Sequence, residues 1–60
     1  MLVFTDSNKH CTVYVFDSNI PGQYVLELID KDTGDTIRSV RIDSTESEAI
    51  ERTMKWMENY

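Results

Sequence analysis

One feature limits the folds open to this chain more than any other: the spacing of its apolar residues changes near Ser44. Up to Ile42 the apolar residues come in short runs rich in β-branched and aromatic side chains, which are typical of β-strands. After Ser44 they recur every three to four residues, as along one face of an α-helix. No linker or internal repeat divides the chain. We therefore expect a single small domain, 1–60, with a sheet first and a helix last.

Turn-forming residues divide the first part into strand candidates. The breaks are "DSNK" after Thr5, "DSNIPG" after Phe16 and "KDTG" after Asp30. The fold class predicted is α+β: a small antiparallel sheet of three to four strands, arranged as a meander, with one C-terminal helix packed on one face. The predicted strands cover residues 2–5, 10–16, 23–30 and 35–42.

The helix has a recognisable start. Thr45 and Glu48 stand in the T-x-x-E relation of a capping box, in which the hydroxyl and the carboxylate each bond a free backbone N–H group. Ile50, Met54 and Met57 then recur at helical spacing. The stripe is widened beside them by Ala49, Thr53, Trp56 and Tyr60. The pattern predicts a helix of about fifteen residues with these side chains toward the sheet.

The two middle strand candidates carry large apolar side chains on both faces, whereas a sheet with one solvated face alternates apolar and polar residues. A single helix covers only one face of a small sheet, so the other face would expose apolar groups. Contiguous exposed apolar patches usually mark an interface. The pattern leaves open which face the helix covers. We take as the uncovered, partner-binding set Tyr14, Phe16, Val25 and Ile29.

The charge balance limits the class of partner. Eleven acidic residues against six basic ones give a formal charge of −5, which disfavours direct binding to nucleic acid or to an anionic membrane surface. It favours solubility, and it leaves room for a partner protein with a basic surface. Glu46, Glu48 and Glu51 are the acidic residues that we expect to complement such a surface.

Two groups of residues suggest chemistry and fail on spacing. In "DKDTGD", a calcium loop that started at Asp30 would have Gly34 at its fifth position and Arg41 at its twelfth, where a ligand oxygen and a bidentate glutamate are needed. This segment is better explained as a hairpin tip, with Gly34 at a positive φ. His10 and Cys11 are adjacent, so on a strand they point to opposite faces and cannot form a nucleophile–base pair. We expect no enzymatic activity, cofactor or metal.

The expected location is cytoplasmic. Cys11 is the only cysteine, so no disulfide framework indicates secretion. The first ten residues, "MLVFTDSNKH", lack the features of a signal peptide. No segment approaches the roughly 20 apolar residues of a membrane-spanning helix.

The segment "YVLELIDKDTGDTIRSVRI", residues 24–42, resembles the conserved hairpin of the FlaG family of flagellar proteins. In that family two strands flank a D-K-[DE]-T-G-[DE] turn, followed by an apolar residue and arginine. Ile37 and Arg38 hold those two places in this chain. The resemblance implies a flagellar accessory role without catalysis, and it carries over no functional residue.

The sequence therefore favours a small acidic protein-interaction module that binds through the uncovered face of its sheet. Accessory, regulatory and inhibitory roles all fit, and we expect a homodimer or a complex with another protein. One alternative is an inhibitor that mimics nucleic acid through its acidic surface. The other is a FlaG-like flagellar accessory protein.

Overall fold

The computed structural model describes all residues, Met1–Tyr60. Its elements are β1 (Leu2–Ser7), β2 (Cys11–Asp17), β3 (Gln23–Asp30), β4 (Thr36–Asp43) and α1 (Glu46–Glu58). The four strands form one antiparallel sheet in the order β1-β2-β3-β4, so each strand pairs only with its neighbours in sequence. This meander with a C-terminal helix confirms the predicted α+β fold.

The first strand is longer than predicted. Asp6 and Ser7, which look like turn residues, still pair with Val13 and Thr12 of β2 before the chain turns at Asn8. The Asn8 side-chain oxygen then accepts hydrogen bonds from the backbone N–H groups of His10, at 2.8 Å, and Cys11, at 3.0 Å. This side chain closes the turn and fixes where β2 begins.

The "DKDTGD" segment forms the tip of the β3–β4 hairpin, as predicted. The Asp30 N–H donates to the Asp35 carbonyl at 2.9 Å, and the Gly34 N–H donates to the Asp30 carbonyl at 2.8 Å. One carboxylate oxygen of Asp30 accepts from the backbone N–H groups of Asp32 and Thr33, at 2.8 and 3.1 Å. Gly34 has a φ of +79°, which favours glycine at this position. The Asp30 carboxylate therefore stabilises the turn itself.

The helix begins at the predicted cap. Thr45 is the N-cap, and its hydroxyl oxygen accepts a hydrogen bond from the Glu48 N–H at 3.2 Å. Acidic Glu46 and Glu48 lie in the first turn and basic Lys55 in the last, where each charge is favourable to the helix dipole.

Small side chains bring α1 onto the sheet. Ala49 and Thr53 are the two buried residues of the helix. The apolar spacing predicts instead that Ile50, Met54 and Met57 form the centre of the contact between helix and sheet. Larger residues at these positions would hold the helix farther away, so the helix turns its small side chains inward. The buried Thr53 hydroxyl donates to the Ile50 carbonyl at 2.8 Å and is thereby satisfied.

The core is a single layer between helix and sheet. Only seven of the 60 residues are buried, as expected for a chain too short to form a large interior. Trp56 and Met57 close one end of this layer. The buried residues are Cys11, Val13, Val15, Leu26, Leu28, Ala49 and Thr53.

Candidate interaction surface

The sheet has one face covered by α1 and one face that no other element of the chain covers. α1 contacts β2 and β3, and its Ala49 packs with Val15 and Leu26. Because successive side chains on a strand point to opposite faces, the residues that alternate with Val15 and Leu26 point away from the helix. We call this second side the open face. Its centre consists of Thr12, Tyr14 and Phe16 on β2 and Val25, Glu27 and Ile29 on β3.

All four apolar residues predicted to bind a partner lie on the open face. Tyr14 and Phe16 stack with ring centroids 5.8 Å apart and planes inclined by 21°. Val25 pairs with Phe16 across the β2–β3 ladder, and Ile29 lies at the other end of β3. Each of the four is partly buried by its neighbours on the sheet. The structure therefore brings these side chains together on one surface.

A fifth apolar residue extends this surface onto the edge strand. Leu2 pairs with Phe16, which in turn pairs with Val25, and Val25 pairs with Arg41 of β4. An apolar row thus crosses three strands and ends at a cation on the fourth. Leu2 is 46% exposed. Sequence reasoning missed it because a bulge between Leu2 and Phe4 breaks the alternation of β1, so simple counting misassigns its face.

The middle row of the open face is amphipathic. Tyr14 pairs with Glu27, and Glu27 pairs with Ser39 of β4, whose hydroxyl donates to the Glu27 carboxylate at 3.5 Å. Arg41 lies diagonal to Glu27 on the neighbouring strand, a spacing that long side chains can bridge. The open face has three central rows of paired residues, which pass through Phe16, Tyr14 and Thr12 of β2. Together these rows carry one acid, Glu27, and one base, Arg41, and so have no net charge.

The three predicted acidic residues lie on the other side of the molecule. Glu46, Glu48 and Glu51 are exposed on α1, which covers the opposite face of the sheet. Glu48 and Glu51 border a shallow groove together with basic Arg52 and Lys55. The structure therefore does not join the acidic residues to the apolar ones in a single binding surface, and it places cations among them.

A hollow of about 210 Å³ lies where the end of α1 meets the β3–β4 hairpin. It is smaller than the few hundred Å³ typical of small-molecule sites. The Arg38 guanidinium lies 5.1 Å from the centroid of the Trp56 ring, a cation–π contact that borders the hollow. Ile37, displaced by a bulge in the β3–β4 ladder, contributes an exposed apolar side chain to the same hollow.

Cys11, His10 and Asp30 are the residues considered above for nucleophilic catalysis or calcium binding. Cys11 is fully buried, and this burial together with the nearby Asp30 carboxylate raises the pKa of its thiol. His10 beside it is exposed. The Tyr60 hydroxyl donates to the Asp30 carboxylate, which lowers the pKa of Asp30 and raises the pKa of Tyr60 to about 12. This hydrogen bond holds the C-terminal residue, Tyr60, against the tip of the β3–β4 hairpin.

No group of three or more His, Cys, Asp or Glu side chains is placed to hold a metal ion. The one helix, 13 residues long, lacks the length and apolarity to cross a membrane. In comparisons with known proteins, no family model matches the chain, and neither does any curated protein or solved structure.

Proposed function

We propose that this chain is a small non-catalytic protein-interaction module that binds a partner protein through the open face of its sheet. Such a module would serve as an accessory, regulatory or inhibitory protein. The observation that supports the proposal is the apolar row of Leu2, Phe16 and Val25, with Tyr14 beside it, which no element of the chain covers. Contiguous apolar patches of this kind usually mark sites of contact with another molecule.

Tyr14 and Phe16 are the residues to which we assign most of the binding energy. Aromatic residues near the centre of an interface commonly dominate its energetics. Their stacking on β2 already restricts their rotamers, so a partner would order them at little further cost in entropy. Val25 and Ile29 would add apolar area on the neighbouring strand.

Glu46, Glu48 and Glu51 belong, in this proposal, to a second and weaker contact. A contact confined to the open face does not include α1, so a basic surface would have to bind the helix separately. Exposed ion pairs contribute little free energy to a complex, and salt screens them. We therefore expect the acidic residues to affect the rate of association more than the strength of the complex.

Site-specific photo-crosslinking in cells that produce the protein tests the proposal. A photoreactive phenylalanine analogue replaces Phe16 in one variant and Glu51 in a control variant that places the probe on the exposed surface of α1. We expect a discrete crosslinked protein species from position 16, and its loss when Val25→Glu is added to the same chain. Position 51 should give no species of comparable yield.

The opposite pattern would contradict the proposal. Discrete crosslinks from position 51 alone, lost at high salt, would instead support the nucleic-acid mimic, because contact through charges is salt-dependent. Arg52 and Lys55 beside Glu48 and Glu51 weigh against that alternative. A flagellar component as the crosslinked species would support the FlaG resemblance of residues 24–42.

The proposed location is the cytoplasm, where an unpaired cysteine such as Cys11 stays reduced.

A further inference from the structure

We infer that the partner of the open face is a second copy of this chain, and that the two-fold axis of the dimer runs along the strands, between β2 and β3. The inference rests on the proposed function of the open face and adds the identity and orientation of the partner. Two sheets packed face to face lie about 10 Å apart, with their strands inclined by about 30°. The dimer is then a sandwich of two sheets with a helix on each outer side.

This axis places each side chain of the central strands opposite its own ladder partner in the second copy. Phe16 meets Val25 of the second copy, because these two residues form a pair on the β2–β3 ladder. By the same rule Tyr14 meets Glu27 of the second copy, which gives a hydroxyl donor opposite a carboxylate acceptor. Both contacts occur twice, as two-fold symmetry requires. The open face is thus complementary to itself.

The single acid near the centre of the face selects this orientation. An axis across the strands through the middle row would place Glu27 against Glu27 of the second copy. Two carboxylates facing each other in a desolvated interface repel, and neither would gain a donor from the other copy. The axis along the strands separates them and gives each a tyrosine hydroxyl. The middle row crosses the axis at the centre of the face, so its contacts shift least when the two sheets are inclined.

The distribution of charge also favours a second copy. Each chain has a formal charge of −5, yet the three central rows of the open face sum to zero, with Glu27 against Arg41. The exposed acids of α1 lie on the outer sides of such a dimer. There they are separated by more than the roughly 8–10 Å over which charges interact at physiological salt. Two acidic chains can therefore meet through a neutral surface.

The area is sufficient for a weak dimer. Four strands spaced by about 4.8 Å, with about six residues each at 3.3 Å per residue, give a face of about 400 Å² in projection. Two such faces, with the relief of their side chains, bury about 1,000 Å², which is at the lower limit for a specific interface. We therefore expect a dissociation constant between roughly 10 µM and 1 mM.

Analytical ultracentrifugation of the purified chain, from about 1 µM to about 1 mM, tests the identity of the partner. We expect a monomer–dimer equilibrium whose dissociation constant rises at least about tenfold in Glu27→Lys. This change removes the carboxylate that accepts from Tyr14 of the second copy, and it makes both open faces positive, so that they repel each other. The control Glu58→Lys makes the same charge change at an exposed position of α1 to which no contact is assigned, and it should leave the equilibrium unchanged. A monomer throughout the range, or equal effects of the two variants, would overturn the inference.

Isotope-filtered NMR on a mixture of labelled and unlabelled chains tests the orientation. We expect contacts between the Phe16 ring of one copy and the Val25 methyl groups of the other. Contacts between Val25 and Ile29 of different copies, which an axis across the strands would produce, would refute the orientation. The crosslinking experiment separates the two proposals: a heterologous species from position 16 in a chain that stays monomeric supports the binding face and overturns the homodimer.

Discussion

The same truncation on the two faces of the sheet should have very different costs. Val15 and Val25 lie on neighbouring central strands, but Val15 is fully buried under Ala49 whereas Val25 is partly buried on the open face. Val15→Ala and Val25→Ala remove the same atoms and lose the same β-propensity, so the difference between them isolates burial. We expect Val15→Ala to destabilise the monomer much more.

The expected magnitude follows from the environments of the two residues. Removing two methylene equivalents from a buried position costs about 1.6 kcal/mol in transfer free energy at about 0.8 kcal/mol each. A residual cavity of about 50 Å³ adds about 1 kcal/mol. The Val15→Ala variant should therefore lose about 2–3 kcal/mol. The Val25→Ala variant should lose only about 0.5–1 kcal/mol of unfolding free energy. No helix covers Val25, so only part of its side chain is removed from water on folding.

Urea unfolding followed by circular dichroism measures this difference at about 1 µM protein, where the proposed dimer is dissociated. The slopes of the unfolding free energy against urea should be equal for the two variants, so that the midpoints can be compared. At about 1 mM protein the cost of Val25→Ala should increase while that of Val15→Ala stays unchanged. Equal costs at low concentration would mean that the open face is dry within one chain, and the reasoning would be refuted.

Three further outcomes follow from named contacts. Thr45→Ala removes the acceptor for the Glu48 N–H and should cost about 1 kcal/mol in unfolding free energy, whereas Thr45→Ser should restore most of it. Asp30→Asn should return the pKa of Tyr60 from about 12 toward about 10 in a spectrophotometric titration. Because the folded pKa is the higher one, the Tyr60 bond should contribute to stability below about pH 10 and be lost as the pH rises to about 12. Cys11 should react with a thiol reagent at neutral pH only as fast as the chain opens, and fast alkylation of the native protein would contradict its burial.

Most of the fold could be predicted because local signals agreed with one another. The turn residues after Phe16 and Asp30, the hydroxyl of Thr45 and the change of period all act over a few residues. The orientation of α1 could not be predicted in the same way. Helical spacing identified both Ala49 and Ile50 as members of the apolar stripe, and only the distance between helix and sheet decides which of them lies at the centre.

The open face was predictable in its central strands and not at its edges. Tyr14 and Val25 follow the regular alternation of β2 and β3, so counting by two was sufficient. Leu2 lies next to a bulge, which depends on pairing with the neighbouring strand and leaves no clear signature in the sequence. The separation of the helix acids from the open face required the arrangement of layers, because sequence distance does not show which side of a sheet a helix covers.

The order of the strands also has a kinetic consequence. Since β1, β2, β3 and β4 are joined by short turns and pair only in sequence order, each ladder closes a small loop. Small loops cost little entropy, and chains with mostly local pairings reach the native state quickly. Both outer strands leave backbone groups unpaired, and such edges promote aggregation while a chain is incompletely folded. Rapid zippering from one hairpin to the next shortens the time during which a newly made chain is exposed to that risk.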